Sequence, residues 1–169
     1  MTDLKGKTVR ASAVDNHTYK VFPNDLNSNG TAFGGMIMGI CDRVALVVAE
    51  RHTGKTCVTA SVDSMHFLKP AGQGDILLFN ASINRTWRTS MEIGVKVEAE
   101  HWSTGEKRHI ISAYFTFIAL DENKQPTPVP PVIPETPLEK RRFEEAGDRR
   151  YRRMRDAEER KAKRASWKE

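Results

Sequence analysis

NSNGTAFGGMIMGICDRVALVVAE, residues 27–50, is the stretch from which the architecture can be read. It opens on turn formers, with Gly30 free to take a positive φ and Thr31 predicted as a helix N-cap. From Met36 to Ala49 the only charged residues are Asp42 and Arg43. A helix apolar on nearly every side is a buried helix. Its end is predicted between His52 and Gly54, where TGK supplies a C-terminal stop signal.

The segments around this helix read as strands. Residues 8–22 are rich in β-formers and alternate imperfectly, which predicts one strand before the helix. Four runs follow it: CVTASVDSMHF (57–67), DILLFNASINRTW (75–87), SMEIGVKVEAEHW (90–102) and KRHIISAYFTFIALD (107–121). They are separated by KPAGQG, an RT junction, and STGE, where Gly105 marks a tight hairpin. Short connections between long strands imply an antiparallel sheet. In MEIGVKVEAE, Ile93, Val95 and Val97 fall on one face and Glu92, Lys96 and Glu98 on the other, the pattern of a sheet buried on one side. The expected fold class is α+β, a curved antiparallel sheet wrapped around a central buried helix.

The length, 169 residues, suits one domain able to bury roughly two-thirds of its unfolded surface without disulfides or metal. Cys41 and Cys57, each in an apolar context, read as small buried hydrophobes of a reducing compartment. The first residues, MTDLKGKTVRAS, lack the apolar core of a signal peptide. No stretch approaches the roughly 20 apolar residues that span a bilayer. A cytoplasmic protein with no membrane partner is expected.

Residues 126–137, PTPVPPVIPETP, hold six prolines and read as an extended arm, because each removes a backbone donor and fixes φ. Residues 138–169 have helical composition with a thin apolar stripe. The predicted organisation is therefore a body over 1–125, a Pro-rich arm over 126–137 and a charged C-terminal helix over 138–169. The net charge of +5 resides mostly in the tail, where residues 135–169 carry 13 Lys and Arg against 9 Asp and Glu. That interleaving of acids, with only Tyr151 and Trp167 offering stacking surfaces, argues against nucleic acid as a partner. A solvated helix packed on a neighbouring subunit is the expectation.

Two features of the central helix carry chemistry. The first free N–H groups of the helix fall in or beside Gly34 and Gly35, where they suit an oxyanion; the competing reading is that these glycines only allow close packing. Asp42 is a carboxylate on an apolar helix, expensive unless it lines a cleft or meets a partner. Arg43 is no such partner, since adjacent helical side chains diverge. Gly35 and Asp42 are seven residues apart and share a face, about 10 Å from each other along the axis. One carbonyl cannot be held by the first and attacked with help from the second. If both act on one carbonyl, Asp42 comes from another subunit, and a two-fold dimer with two composite sites follows.

The pattern NxxGxxFGGxIMxxxD (Asn27, Gly30, Phe33, Gly34, Gly35, Ile37, Met38, Asp42) resembles that of the hotdog-fold acyl-CoA thioesterases, and in particular the bacterial acyl-CoA hydrolases related to the brain-type cytosolic enzyme. DSMHFLKPAGQGD (63–75), RTSMEIGVKVEAE (88–100) and AYFTFIALDENKQPTPVP (113–130) continue the match in order, over roughly residues 8–145. The resemblance implies hydrolysis of acyl-CoA to free fatty acid and CoA. It implies that Asp42 activates water or attacks the thioester directly, that Asn27 works opposite it across the dimer interface, and that the Gly35 N–H, beside Gly34, completes an oxyanion hole. Arg88, Thr89 and Ser90 match a segment lining the groove for pantetheine and nucleotide; Trp87 departs from the pattern, standing where relatives often carry Gly. The resemblance further implies a homodimer as the minimal catalytic unit and a homohexamer built as a trimer of dimers.

His66, between Met65 and Phe67 in a strand, reads either as a structural histidine or as a contributor to substrate binding. His52, Cys57 and His66 lack any zinc spacing, so no metal is expected, and no cofactor beyond the CoA of the substrate. Two rivals stand beside the thioesterase. A non-catalytic acyl-CoA sensor with a basic tail would have no need of Asp42 opposite Asn27. A hotdog dehydratase would rely on a histidine paired with a carboxylate, and no histidine lies near the FGG turn in sequence.

Overall fold

The helix that organises the fold, α1, runs Gly34–Thr53 in the computed structural model, which describes residues 4–167. The outermost residues of the predicted body and tail, 1–3 and 168–169, lie outside that range. The helix stops where Gly54 turns left-handed (φ 66°) and donates its N–H to the Glu50 carbonyl at 2.7 Å. Arg51 in the last turn complements the negative end of the dipole. Its start differs from expectation. The N-cap is Phe33, in extended conformation and without a capping side chain. Thr31 is instead tied back to Asn27 and bridges to Gly72.

Ile37, Cys41, Val44, Ala45, Val48, Ala49 and His52, spaced three and four apart, form the buried face of α1. The helix is not covered all round within one chain: Gly35, Met38, Gly39, Arg43 and Val47 are exposed on the opposite side. Apolarity in sequence marks both faces alike, although only one has a partner within the chain.

Five strands form an antiparallel sheet in the order β2-β4-β5-β6-β3: β2 (Val14–Lys20), β3 (Cys57–Phe67), β4 (Ile76–Thr86), β5 (Ser90–Glu100) and β6 (Lys107–Ala119). The four runs after α1 fall on β3 to β6 almost residue for residue. The run before it is broken: β1 (Lys7–Thr8) and a 3-10 turn at Val9–Ala11 precede β2, whose register slips between Val14 and His17. Gly105 (φ 70°) closes the β5–β6 hairpin by donating to the His101 carbonyl. Register stacks the inner face in rows: Phe79, Val97 and Ile111; Ala81, Val95 and Ala113; Ile83, Ile93 and Phe115; Met91, Phe117 and Thr59. All but Thr59 are buried, and α1 packs against every strand of the sheet. Each large side chain in those rows contributes roughly 1.5–3 kcal/mol.

The outer face is not left to solvent as the alternation in β5 suggested. The arm passes β7 (Val132–Ile133), which pairs in parallel with β1, and enters α2 (Pro137–Ser166) through a capping box between Thr136 and Glu139. Helix α2 then crosses the outer face of its own sheet, rather than reaching first for a neighbour. Phe143 sits beneath Arg85 of β4, Arg149 pairs with the wholly buried Glu92 of β5 and lies over the Tyr114 ring of β6, and Arg153 meets Asp63 of β3. Glu92 and Asp63 look like surface acids in sequence because their cations lie 57 and 90 residues away.

Candidate active site

Asp42 lies in the third turn of α1, half-buried, beside the row of inner-face residues that ends in Thr59. The Thr59 hydroxyl donates to Asp42 Oδ1 at 2.6 Å, and among the described residues the carboxylate forms no ion pair. Its charge is felt nearby: burial first, then the negative Asp42, pushes the Cys41 thiol up to about 12. A carboxylate aimed by one hydroxyl, with no cation to neutralise it, is equipped to take a proton from water or to attack an electrophilic carbon.

Two turns earlier, the first turn of α1 is bare. Met36 and Ile37 donate to the Phe33 carbonyl at 3.1 and 3.3 Å, while the N–H groups of Gly34 and Gly35 find no acceptor among the described residues. Aromatic rings close in on this turn. A Cβ at Gly35 would lie 2.5 Å from the Phe33 ring, and one at Gly34 would lie 3.3 Å from Phe67. Both phenylalanines are more than half exposed, so they wall the turn without sealing it. The result is a donor pair at the positive end of a helix, in an aromatic frame, suited to a developing oxyanion.

Asn27 holds the turn that leads into this helix. Its Oδ1 accepts from the Asn29 and Thr31 backbone N–H groups at 2.9 and 3.2 Å, and its Nδ2 donates to Thr31 Oγ1 at 2.9 Å. Gly30, at φ 72°, makes the turn possible. These bonds fix Asn27 within the turn that leads into α1, and among the described residues none joins it to Asp42 of its own chain.

The remaining candidates divide between the two ends of β3. His66 is exposed near the Phe67 end. Arg88, Thr89 and Ser90 form the β4–β5 turn at the other end, where backbone bonds from Val129 to Arg88 and from Ala119 to Thr89 anchor it. Ser90 registers with Ile118, and Ile118 with Val58, the residue before Thr59. The turn therefore lies about 10 Å, two strand spacings, from the Asp42–Thr59 pair. His66 is not part of that cluster. Trp87 is half-buried under the guanidinium of Arg150. Among the described residues, no group of three or more His, Cys, Asp or Glu is placed to hold a metal.

Thr59 escaped the sequence reading. Its signal was a polar residue interrupting the inner-face pattern of β3, and the register slip between Thr59 and Ser61 hides that phase.

A helix laid across a five-stranded antiparallel sheet, with an uncapped glycine turn and a lone aimed carboxylate on one helix, is the arrangement of a hotdog thioesterase. Known proteins agree. The Thioesterase superfamily profile matches residues 29–104. The uncharacterized acyl-CoA thioester hydrolase YkhA of Bacillus subtilis is 45% identical over 119 residues, covering 70% of this chain and 69% of that protein. A hexameric acyl-CoA thioesterase solved without ligand is 37% identical, with a TM-score of 0.88 over 91% of this chain and 98% of that one. The acyl-CoA hydrolase of Staphylococcus aureus, solved with butyryl-CoA, CoA and CoA disulfide, is 34% identical, with a TM-score of 0.88 over 96% of this chain and 99% of its own. That hydrolase has also been solved with an asparagine, an aspartate or a threonine replaced by alanine, at positions 15 and then 17 residues apart. This chain belongs to the hotdog-fold acyl-CoA thioesterase family.

Proposed function

We propose that the chain hydrolyses acyl-CoA thioesters to a free acid and CoA at two composite sites of a two-fold dimer. One observation carries the reading. Asp42 is held by Thr59 on α1, about 10 Å along the axis from the uncapped N–H groups of Gly34 and Gly35. The two features are complementary in chemistry and too far apart within one chain. The surface between them favours a second copy: among the described residues β3 bonds only to β6 and its other edge pairs with no strand, while Phe33, Met38, Val47 and Phe67 are exposed. Antiparallel apposition of two such surfaces brings Asn27 and Gly35 of one copy towards Asp42 of the other.

In this reading Asp42 takes a proton from water as its oxygen adds to the thioester carbon, or adds there itself, in which case water cleaves the resulting acyl–Asp42 anhydride after CoA has left, releasing the free acid and the carboxylate. The oxyanion is met by the Gly35 N–H, with Gly34 leaving room for close approach, and by the Asn27 amide. Collapse breaks the C–S bond, and CoA leaves as a thiolate that takes up a proton. Arg88, Thr89 and Ser90 line the path of the CoA moiety, and His66 borders the opposite end. The spacing of Asn27, Asp42 and Thr59, 15 and then 17 residues, repeats that of the three replaced residues in the Staphylococcus aureus hydrolase. Three dimers joining into a hexamer follow the hexameric relative. The body over 1–125 carries every group that touches the reacting atoms, and the arm over 126–137 and helix over 138–169 brace it. Two free, buried cysteines suit a reducing cytoplasm.

The test is thiol release from a panel of acyl-CoAs, with wild type and Asp42→Asn compared at the same oligomeric state. Wild type is expected to turn over, and the variant to lose about a hundredfold or more while still binding CoA. Wild type that binds acyl-CoA and cleaves none of the panel would leave the sensor reading in its place.

A further inference from the structure

The β4–β5 turn carries a cation with no counter-charge. Arg150 of α2 is half-buried, its guanidinium carbon 4.6 Å from the centre of the Trp87 ring. It makes one long hydrogen bond, from Nη1 to Ser90 Oγ at 3.4 Å. Its neighbours on the helix are matched: Arg149 with Glu92, and Arg153 with Asp63. Among the described residues Arg150 itself forms no ion pair, and neither does Arg88, exposed on the same turn. Burial and then the positive Arg153 hold the Arg150 pKa below the usual arginine range.

A partly desolvated guanidinium without an anion costs free energy. The indole beneath it holds the plane of the fork, and most of its donors are left open. A planar fork presented in this way matches phosphate in bidentate fashion. Ser90 adds a hydroxyl, and Arg88 a second positive charge. The turn stands about two strand spacings from Asp42 and Thr59, at the rim where the inner and outer faces of the sheet meet. A ligand whose reactive carbonyl sits at Asp42 and whose anionic end extends along that rim reaches this turn.

We propose that Arg150, with Arg88 and Ser90 on the Trp87 turn, is a clasp for the phosphate groups in the nucleotide half of CoA. The inference rests on the thioesterase reading and adds a residue of the C-terminal helix to substrate recognition. Trp87 then shapes the groove by orienting Arg150 rather than by blocking it.

The experiment compares an acyl-CoA with the matching acyl-pantetheine, which lacks every phosphate, for wild type, Arg150→Ala and Arg150→Lys. Arg150→Ala is expected to raise KM for the acyl-CoA about tenfold, with kcat and the acyl-pantetheine kinetics nearly unchanged. Arg150→Lys, which keeps the charge and loses the fork, is expected to fall between. Equal losses on both thioesters, or no loss on either, would overturn the clasp. Calorimetry with CoA and with pantetheine decides the matter independently of turnover. CoA binding weakened about tenfold in Arg150→Ala, with pantetheine binding unchanged, supports the clasp even if wild type cleaves neither thioester and the thioesterase reading fails. Equal CoA affinity in the two proteins, or no CoA binding by wild type, rejects it. Should Arg150→Ala not fold, Arg150→Lys carries the same comparison.

Discussion

Arg149 reaches across the outer face of the sheet and grips Glu92 with three contacts, Nε to both carboxylate oxygens at 3.2 and 3.1 Å and Nη2 to Oε1 at 2.7 Å. Asn84 adds a fourth bond to Oε1 at 2.9 Å, and the guanidinium lies 3.8 Å from the centre of the Tyr114 ring. Glu92 is fully enclosed, so this group of four binds α2 to strands β4, β5 and β6.

Removing one partner strands a buried charge. Arg149→Ala is expected to destabilise the fold by about 3–5 kcal/mol, seen as a lower urea midpoint. Replacing both ions with apolar residues, as in Glu92→Met with Arg149→Leu, should recover most of that loss. A single variant as stable as wild type would show that the pair does not hold the helix.

Thr59→Ala removes the only hydroxyl described as aiming Asp42. Turnover is expected to fall by about tenfold or more with little change in melting temperature, since Thr59 is exposed in the single chain. Thr59→Ser should restore most of the rate. A full-rate alanine variant would remove Thr59 from the site.

Gly35→Ala places a methyl group 2.5 Å from the Phe33 ring. Phe33 is exposed and can swing aside, so stability should change by about 1 kcal/mol or less, while the displaced ring disturbs the donor turn. The expected signature is a lower kcat in a protein with unaltered melting. Combining it with Phe33→Ala should not restore the rate if the ring itself frames the oxyanion, and should do so if the clash alone is harmful.

His52 sets a pH dependence of stability. It is wholly buried against the Pro130 carbonyl, with Nδ1 unpartnered among the described residues, and burial holds its pKa below the ordinary 6.5. Between the lowered folded value and 6.5 the unfolded chain binds the extra proton. The stabilising contribution is therefore complete above pH 6.5 and is lost as the pH falls below it. Denaturant midpoints measured from pH 8 to pH 5 should decline more steeply for wild type than for His52→Gln.

Cys41 should be inert while the protein is folded. With its thiol at about 12 and no exposed surface, maleimide at pH 8 should label it only after denaturation. Fast labelling of the native protein would show that α1 opens away from the sheet.

Much of this was legible in the chain. Period-two alternation and turn residues located β3 to β6 because each signal is local, and Gly54 marked the end of α1 for the same reason. Asp42 stood out because a charge inside an apolar run is rare. Legibility failed where partners are remote. Glu92 obeyed the pattern of solvent-facing residues, yet its cation on α2 encloses it, as Arg153 does Asp63. Thr31 had the chemistry of a cap, but Asn27 claims its hydroxyl, and the cap falls to Phe33, whose side chain cannot serve. Thr59 gained its place only through a register that no local pattern encodes.

The 57-residue reach of the Glu92 pair also bears on how the protein is made. Strand β6 ends at Ala119, so the sheet can be fully synthesised about 30 residues before Arg149 is added. At typical rates of roughly 5–20 residues per second, that leaves a few seconds on the ribosome. During that interval Asn84 is the described side-chain partner of Glu92, and the face is closed only when α2 emerges.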